Sequence, residues 1–358
     1  MSHPGPKKGL VFLLALALAL ASCSRAPEGG NASKRGGAPE RWRVRIIYLP
    51  FLSFGPLIIA YEEGYFAEQG IKVEFVPLKR SVHGLGPLAN GELDVLAGSV
   101  SSGILNAIAR GADIRIVADK GHISAGPDAT SALLARRGLM QQGKLKDPDA
   151  LKGLRLAASK DNIEGYFVDR AFARLGVSLD DLQMSDPPSP VLPDALRKGA
   201  LDFAWVTEPW LTRVLAAGDS EIWVRDHEII PGFQYAFVAF GPSLLRENPE
   251  LGERFMVAYL KGVRQYNQGK VRRNIEILAQ HTKLDPELLR NATWPSIRND
   301  GQINLESVLA FQEWAVEEGL IEAPLRPESF WNPRFIERAG AVLGKAGGEP
   351  SAAPVKKR

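Results

Sequence analysis

Residues 53–76, SFGPLIIAYEEGYFAEQGIKVEFV, constrain the fold of this chain more than any other stretch. They carry the pattern of a loop, a helix, a tight turn and a strand. Pro56 suits the first helical position, where its missing N–H costs nothing. Ile58, Tyr61 and Tyr65 follow the i, i+3, i+7 spacing of one buried helical face, leaving Glu62, Glu63 and Glu68 for solvent. Gly70 is placed as the left-handed residue that ends a helix. Residues 71–76 then alternate apolar and polar, as a half-buried strand does. With the apolar run 44–49 ahead of it, the stretch makes a βαβ unit. The loop 50–55 therefore falls at the carboxyl end of the first strand, the edge where open α/β sheets hold ligands.

The alternation continues. Strands are expected at 72–76, 93–97 and 114–118, with helices at 56–68, 82–89 and 101–110, which implies a mainly parallel sheet covered by helices. A further apolar strand, 131–135, precedes a polar connector, 138–149. A second series follows, with strands at 154–158, 182–185, 201–206 and 222–224 and helices at 162–175, 190–198 and 209–217. Residues 235–240 read as a returning strand. Beyond Pro242 the pattern is helical, at 249–268, 271–281, 285–291, 304–318 and 330–343. Asp285 before Pro286 is a strong helix opening. No 20–50-residue repeat is present.

The run PLIIAYEEGYFAEQGIKVEF, followed by LANGELDVLAGSV at 88–100, resembles the nitrate/sulfonate/taurine/thiamine-precursor family of substrate-binding proteins of ABC importers. Weaker similarity extends to about Gly340. The resemblance implies an α/β, type II periplasmic-binding-protein fold, in which two α/β lobes enclose a central cleft and two crossing segments, near 129–137 and 225–235, join them. Lobe 1 is then 42–130 and 231–343, and lobe 2 is 131–230.

The two ends read differently. Lys7 and Lys8 precede a Leu/Ala run at 10–20, the length of a signal-peptide core and short of the roughly 20 residues that span a bilayer. Leu20-Ala21-Ser22-Cys23 resembles a bacterial lipobox, which implies cleavage before Cys23 and a lipid anchor on its sulfur. That places the protein in the bacterial cell envelope, in the periplasm or on the outer face of the cytoplasmic membrane. Residues 24–41 are rich in Gly, Ala, Ser and Pro and read as a flexible tether, and 344–358 as a disordered tail. Cys23 is the chain's single cysteine, which excludes an internal disulfide and a cysteine-based metal site. Lys+Arg 44 against Asp+Glu 41 is too balanced for a nucleic-acid surface.

Candidate ligand contacts stand where strands give way to loops or helices. Ser53 and Phe54 follow the first strand, and the phenyl ring can stack on a solute or pack on its own lobe. Ser99, Ser101 and Ser102 follow the third strand at a helix N-terminus, where free N–H groups and serine hydroxyls suit a polar or anionic group, although one serine also suits the cap. His122 follows the fourth strand. Asp161 and Asn162 open a helix on the opposite wall, and either is a good cap. Trp205, Thr207 and Glu208 belong to the motif WVTEPW, in which Pro209 fits the first helical position, Glu208 can meet a cationic or N–H-bearing ligand and Trp205 can stack. Gln234 and Tyr235, beside Phe233, sit near the hinge. Trp294 and Arg298 lie in a loop at the cleft rim. On this reading Glu208→Ala or Trp205→Ala weakens solute binding with little loss of stability.

The stronger members of the set are aromatic and acidic, with no clear arginine among them. It favours a planar nitrogen heterocycle, such as a thiamine-pyrimidine precursor, over nitrate or a sulfonate, although Lys79, Arg80 and a helix N-terminus can bind an anion. No metal and no cofactor is expected. The chain lacks Gly-x-Ser-x-Gly, His-Glu-x-x-His and P-loop patterns. A monomeric solute receptor working with an ABC permease and ATPase is the reading reached, with a ligand-sensing lipoprotein as the alternative. A thiamine-pyrimidine-synthase-like enzyme is the weaker alternative, because the cysteine-rich loop of such enzymes is absent.

Overall fold

The computed structural model describes residues 41–346, apart from 125, 127 and 144. The expected leader 1–23 with Cys23, nearly all of the expected tether and the residues beyond 346 lie outside the described residues; residues 344–346, expected in a disordered tail, continue the last helix, Arg334–Ala346. Ten strands are present: β1 (Trp42–Tyr48), β2 (Ile71–Pro77), β3 (Val95–Ser99), β4 (Arg115–His122), β5 (Ser131–Arg136), β6 (Arg155–Ala157), β7 (Gln183–Ser185), β8 (Phe203–Thr207), β9 (Ser220–Arg225) and β10 (Gln234–Phe240). They form two five-stranded sheets, β2-β1-β3-β10-β4 and β7-β6-β8-β5-β9. Each sheet is parallel except around one strand: β10 runs antiparallel to β3 and β4, and β5 runs antiparallel to β8 and β9. These two strands are the ones that follow a crossing. The chain leaves the first sheet at His122 and is already paired in the second at Ser131. The first crossing thus ends before most of the segment 129–137.

The unit at 53–76 differs from its sequence reading in an informative way. The helix is split into Gly55–Glu62 and Tyr65–Glu68, with Gly64 between them at φ 77°. Gly70, as expected, is left-handed at φ 73°. Residues 55–60 are buried all round rather than along one stripe, and Tyr61 is exposed. The cause is the C-terminal helical region, which packs on the outer side. Its helix Pro249–Tyr266 approaches so closely that a Cβ on Gly262 would stand 2.2 Å from the carbonyl oxygen of Pro56. The three acids are paired rather than free, and only Glu68 is exposed. Glu62 pairs with His281 at 2.5 Å and Glu63 with Arg273 at 2.5 Å, while Glu68 meets Lys261.

The helical region also joins the two sheets. Tyr166, on the helix Ile163–Ala173 that follows β6, packs on Phe233 of the second crossing and on Phe311 and Trp314 of the helix Leu305–Glu317, with ring centroids 5.3, 6.0 and 5.3 Å apart. The apolar core therefore runs continuously behind the strand ends. A second, smaller core, including Leu134, Leu196, Val206 and Leu211, fills the other face of the second sheet.

Candidate functional site

The carboxyl ends of the two sheets face each other and touch. Ser101, just past β3, forms an antiparallel bridge with Asn162, just past β6. Ser102 donates twice to the carbonyl oxygen of Asp161, from its N–H and from Oγ, both at 3.0 Å. The N–H of Ile163 donates to Val100 at 3.1 Å. Nearby, Arg80 reaches from the loop after β2 to Ser159 Oγ at 2.9 Å and pairs with Asp186 beyond β7. The crevice between the lobes is closed along this edge by contacts that belong to the protein alone.

These contacts decide what the predicted residues are free to do. Asn162 caps its helix through the N–H of Glu164 at 2.7 Å. Asp161 Oδ1 accepts from Ser159 at 2.9 Å. Ser99 and Ser101 keep their hydroxyls beside a cavity of about 10 Å³ bounded by Ser81, Val82, Gly98 and Phe237, room for about one water molecule. The carboxyl of Glu164 is pushed up to about 7, first by burial and then by the charges of Asp186 and Asp161, against a bond from Ser159 and the charge of Arg80.

On the second lobe, Trp205 is 8 % exposed and packs on Phe167 with centroids 5.3 Å apart, so its indole belongs to the core. Thr207 bonds Ser131 at 3.0 Å. Glu208 is buried, and both its oxygens are occupied: they accept from the N–H and Oγ1 of Thr212 at 3.0 and 2.7 Å and from the N–H of Thr293 at 3.2 Å. It closes the first turn of the helix Trp210–Ala216, whose N-terminal cap, not first residue, is Pro209. The bond to Thr293 ties lobe 2 to the loop between two C-terminal helices. Burial pushes the Glu208 carboxyl up, and the bonds from Thr212 and Thr293 oppose this.

Near the crossings the polar groups form two hubs. Asp119 is fully buried; Oδ1 accepts from the N–H of Gly121 and from Gln234 Nε2, both at 2.7 Å, and Oδ2 accepts from the N–H of Arg298 at 2.8 Å and lies 2.9 Å from His122 Nδ1. The Gln234 carbonyl oxygen accepts in turn from Arg298 Nη1 at 3.0 Å and the N–H of Asn304 at 3.1 Å. Gln234 is thereby saturated and positions backbone. His122, in β4 rather than after it, keeps Nε2 available. Asp226 is the second hub, accepting from Thr130, Ser131 and His227 where the crossings enter lobe 2. Tyr235 lies over Gly121, where any Cβ would be 2.6 Å from the ring, and its hydroxyl is buried.

The most distinctive group was not among the predicted residues. Lys120, near the end of β4, is 3 % exposed. Its ammonium donates to Ser53 Oγ at 2.8 Å and lies 4.4 Å from the centroid of the Phe54 ring. Ser53 and Phe54 are buried in the turn after β1, so the two strand ends meet through this lysine. Burial lowers the ammonium to about 7, with the charge of Asp119 opposing. In the sequence it shows only as the charged pair Asp119-Lys120 after an apolar run, a pattern that reads as solvent-facing.

Among the described residues no cluster of three or more His, Cys, Asp and Glu is placed to hold a metal ion. No helix among them is long and apolar enough to cross a membrane. Residues 37–280 match the model of the NMT1-like family. The chain belongs to the NMT1-like family. A search of curated proteins found no match. Among solved structures, the ligand-binding component of an ABC-type import system from Staphylococcus aureus is 15 % identical with a TM-score of 0.70, over 84 % of this chain and 99 % of that one. The nitrate-binding protein NrtA of Synechocystis PCC 6803 is 15 % identical with a TM-score of 0.67, over 86 % and 90 %. The alkanesulfonate-binding protein SsuA of Xanthomonas axonopodis pv. citri is 18 % identical with a TM-score of 0.63, over 82 % and 99 %. This NMT1-like chain thus has the two-lobed periplasmic-binding-protein fold.

Proposed function

We propose that this protein is the extracytoplasmic solute-binding component of an ABC importer. It captures a small organic solute between its lobes and delivers it to a permease driven by a separate ATPase. The reading is supported above all by the edge at which the lobes meet: Ser101, Ser102 and Arg80 on one side face Asp161, Asn162 and Asp186 on the other. A solute bridging such walls favours closure through contacts made only in the closed state. A lipid anchor at Cys23 would keep the receptor near its permease and raise the local concentration.

Of the aromatic candidates, Phe54 lies beside Lys120 and Ser53 at the strand ends, whereas Trp205 is committed to the core. The support for a heterocyclic solute such as a thiamine-pyrimidine precursor therefore narrows to Phe54, and that for a solute with an acidic oxygen grows with Lys120. Native mass spectrometry of the chain from Arg41 onward, purified from its own host, tests the proposal. A stoichiometric small molecule is expected. A protein that carries none, and gains none when exposed to the host's extracellular medium, would contradict it.

A further inference from the structure

We propose that Arg80 is a clasp between the two lobes, placed where opening moves the walls farthest, and that its bonds to Asp186 and Ser159 set how readily the lobes part, whatever the solute. The two crossings link β4 to β5 and β9 to β10. In the first sheet β10 and β4 stand at one side and β2 at the other; in the second, β5 and β9 stand at one side and β7 at the other. Arg80 follows β2 and Asp186 follows β7, so their ion pair joins the two edge strands farthest from the crossings. Neighbouring strands lie about 4.8 Å apart, which puts β2 about 19 Å from β4. With that arm, a rotation of about 10° at the crossings moves the rim by about 3 Å, enough to part an ion pair. Contacts nearer the crossings move less for the same rotation.

The second bond of the clasp goes to a hydroxyl whose direction lobe 2 has already fixed. Ser159 is buried. Its Oγ donates to Asp161 Oδ1 at 2.9 Å, which leaves its lone pairs for Arg80 Nη2, also at 2.9 Å. Its N–H donates to Glu164 at 3.0 Å. Lobe 2 thus gathers three carboxylates, Asp161, Glu164 and Asp186, about one serine and at the end of an edge strand. Lys160, in the same loop, turns away to Asp180. The cation that answers this cluster comes from the other lobe as Arg80. The arginine that the sequence offers as an anion site is therefore bound across the crevice to protein.

Amide hydrogen exchange reads the clasp without any solute. Ser102 and Ile163 open the helices Ser102–Ala109 and Ile163–Ala173, where an N–H has no partner within its own helix. Each donates across the crevice instead, Ser102 to Asp161 and Ile163 to Val100. Their protection lasts only while the lobes touch. The proteins compared by NMR are wild type, Arg80→Glu, Asp186→Arg and the double variant, each stripped of solute by unfolding and refolding. Either single variant sets like charges face to face. It should speed exchange of the two reporter amides by about fivefold or more, and the double variant, with the pair reversed, should return them close to the wild-type rate. Amides inside β1 and β8 should change less, because each sheet folds without the pair. Unchanged reporters in the single variants, or a double variant as fast as the faster single, overturns the clasp. Loss of protection in β1 and β8 as large as at the reporters overturns it too, since the pair would then support folding rather than closure.

Discussion

Trp205 and Glu208 show how far a residue's position can mislead about its work. Trp205 lies within β8 and Glu208 just past its carboxyl end, and neither is free: the indole packs on Phe167, and the carboxylate is filled by Thr212 of its own lobe and Thr293 of the C-terminal helical region. Trp205→Ala should therefore cost about 3–5 kcal/mol of stability, the usual penalty for emptying a buried aromatic site. Solute affinity of the folded fraction should remain within a few-fold of wild type. Urea unfolding with calorimetry below the transition checks both. A stable variant with lost affinity would return the indole to the binding surface. Ser53 and Phe54 were legible because they follow a recognisable strand. Lys120 was not, because a charge near a strand end reads as solvent-facing until the turn that covers it is known. Nor was the saturation of Gln234, whose partners Asp119, Gly121, Arg298 and Asn304 lie 64 to 115 positions away in sequence.

The elements themselves were largely readable from periodicity and capping residues. Asp285 caps its helix through Glu287 at 2.7 Å, as its place before Pro286 predicted. Strand direction was not readable, because alternation reports which face is buried and says nothing of orientation in the sheet; β5 and β10 are the consequence. The acids of 62–68 read as solvated for a similar reason, since their partners belong to helices about 200 residues later. At the meeting of β6, β7 and the loop after β2, Glu164 gives a pH-dependent signature. The charged groups around it are Arg80, Asp161 and Asp186, and Ser159 donates to it. Its folded pKa is raised from the ordinary 4.5 to about 7, so the native state holds a proton that the unfolded chain releases. Its contribution is full below pH 4.5 and is lost as pH rises through 7. Glu164→Gln keeps an acceptor for Ser159 and removes the titration. It should match wild type near pH 5 and exceed it near pH 8 by about 1 kcal/mol, after allowance for the partial exposure of the group. A wild-type advantage at pH 8 in urea midpoints would contradict that account.

For the whole molecule, two lobes share one continuous aromatic joint behind the crevice and several separable polar contacts in front of it. Tyr166, Phe233, Phe311 and Trp314 resist parting, because separation would expose their rings to water. The front contacts are hydrogen bonds and a surface ion pair, the latter worth about 0–1 kcal/mol. Opening should therefore occur at the front, about the joint, and a solute at the strand ends should suppress it. Small-angle X-ray scattering on the chain from Arg41 onward tests this most directly, comparing protein stripped by unfolding and refolding with the same protein after its recovered solute is restored. The account predicts a smaller radius of gyration and a sharper distance distribution with the solute bound. Superimposable profiles for empty and saturated protein would contradict closure around a captured molecule.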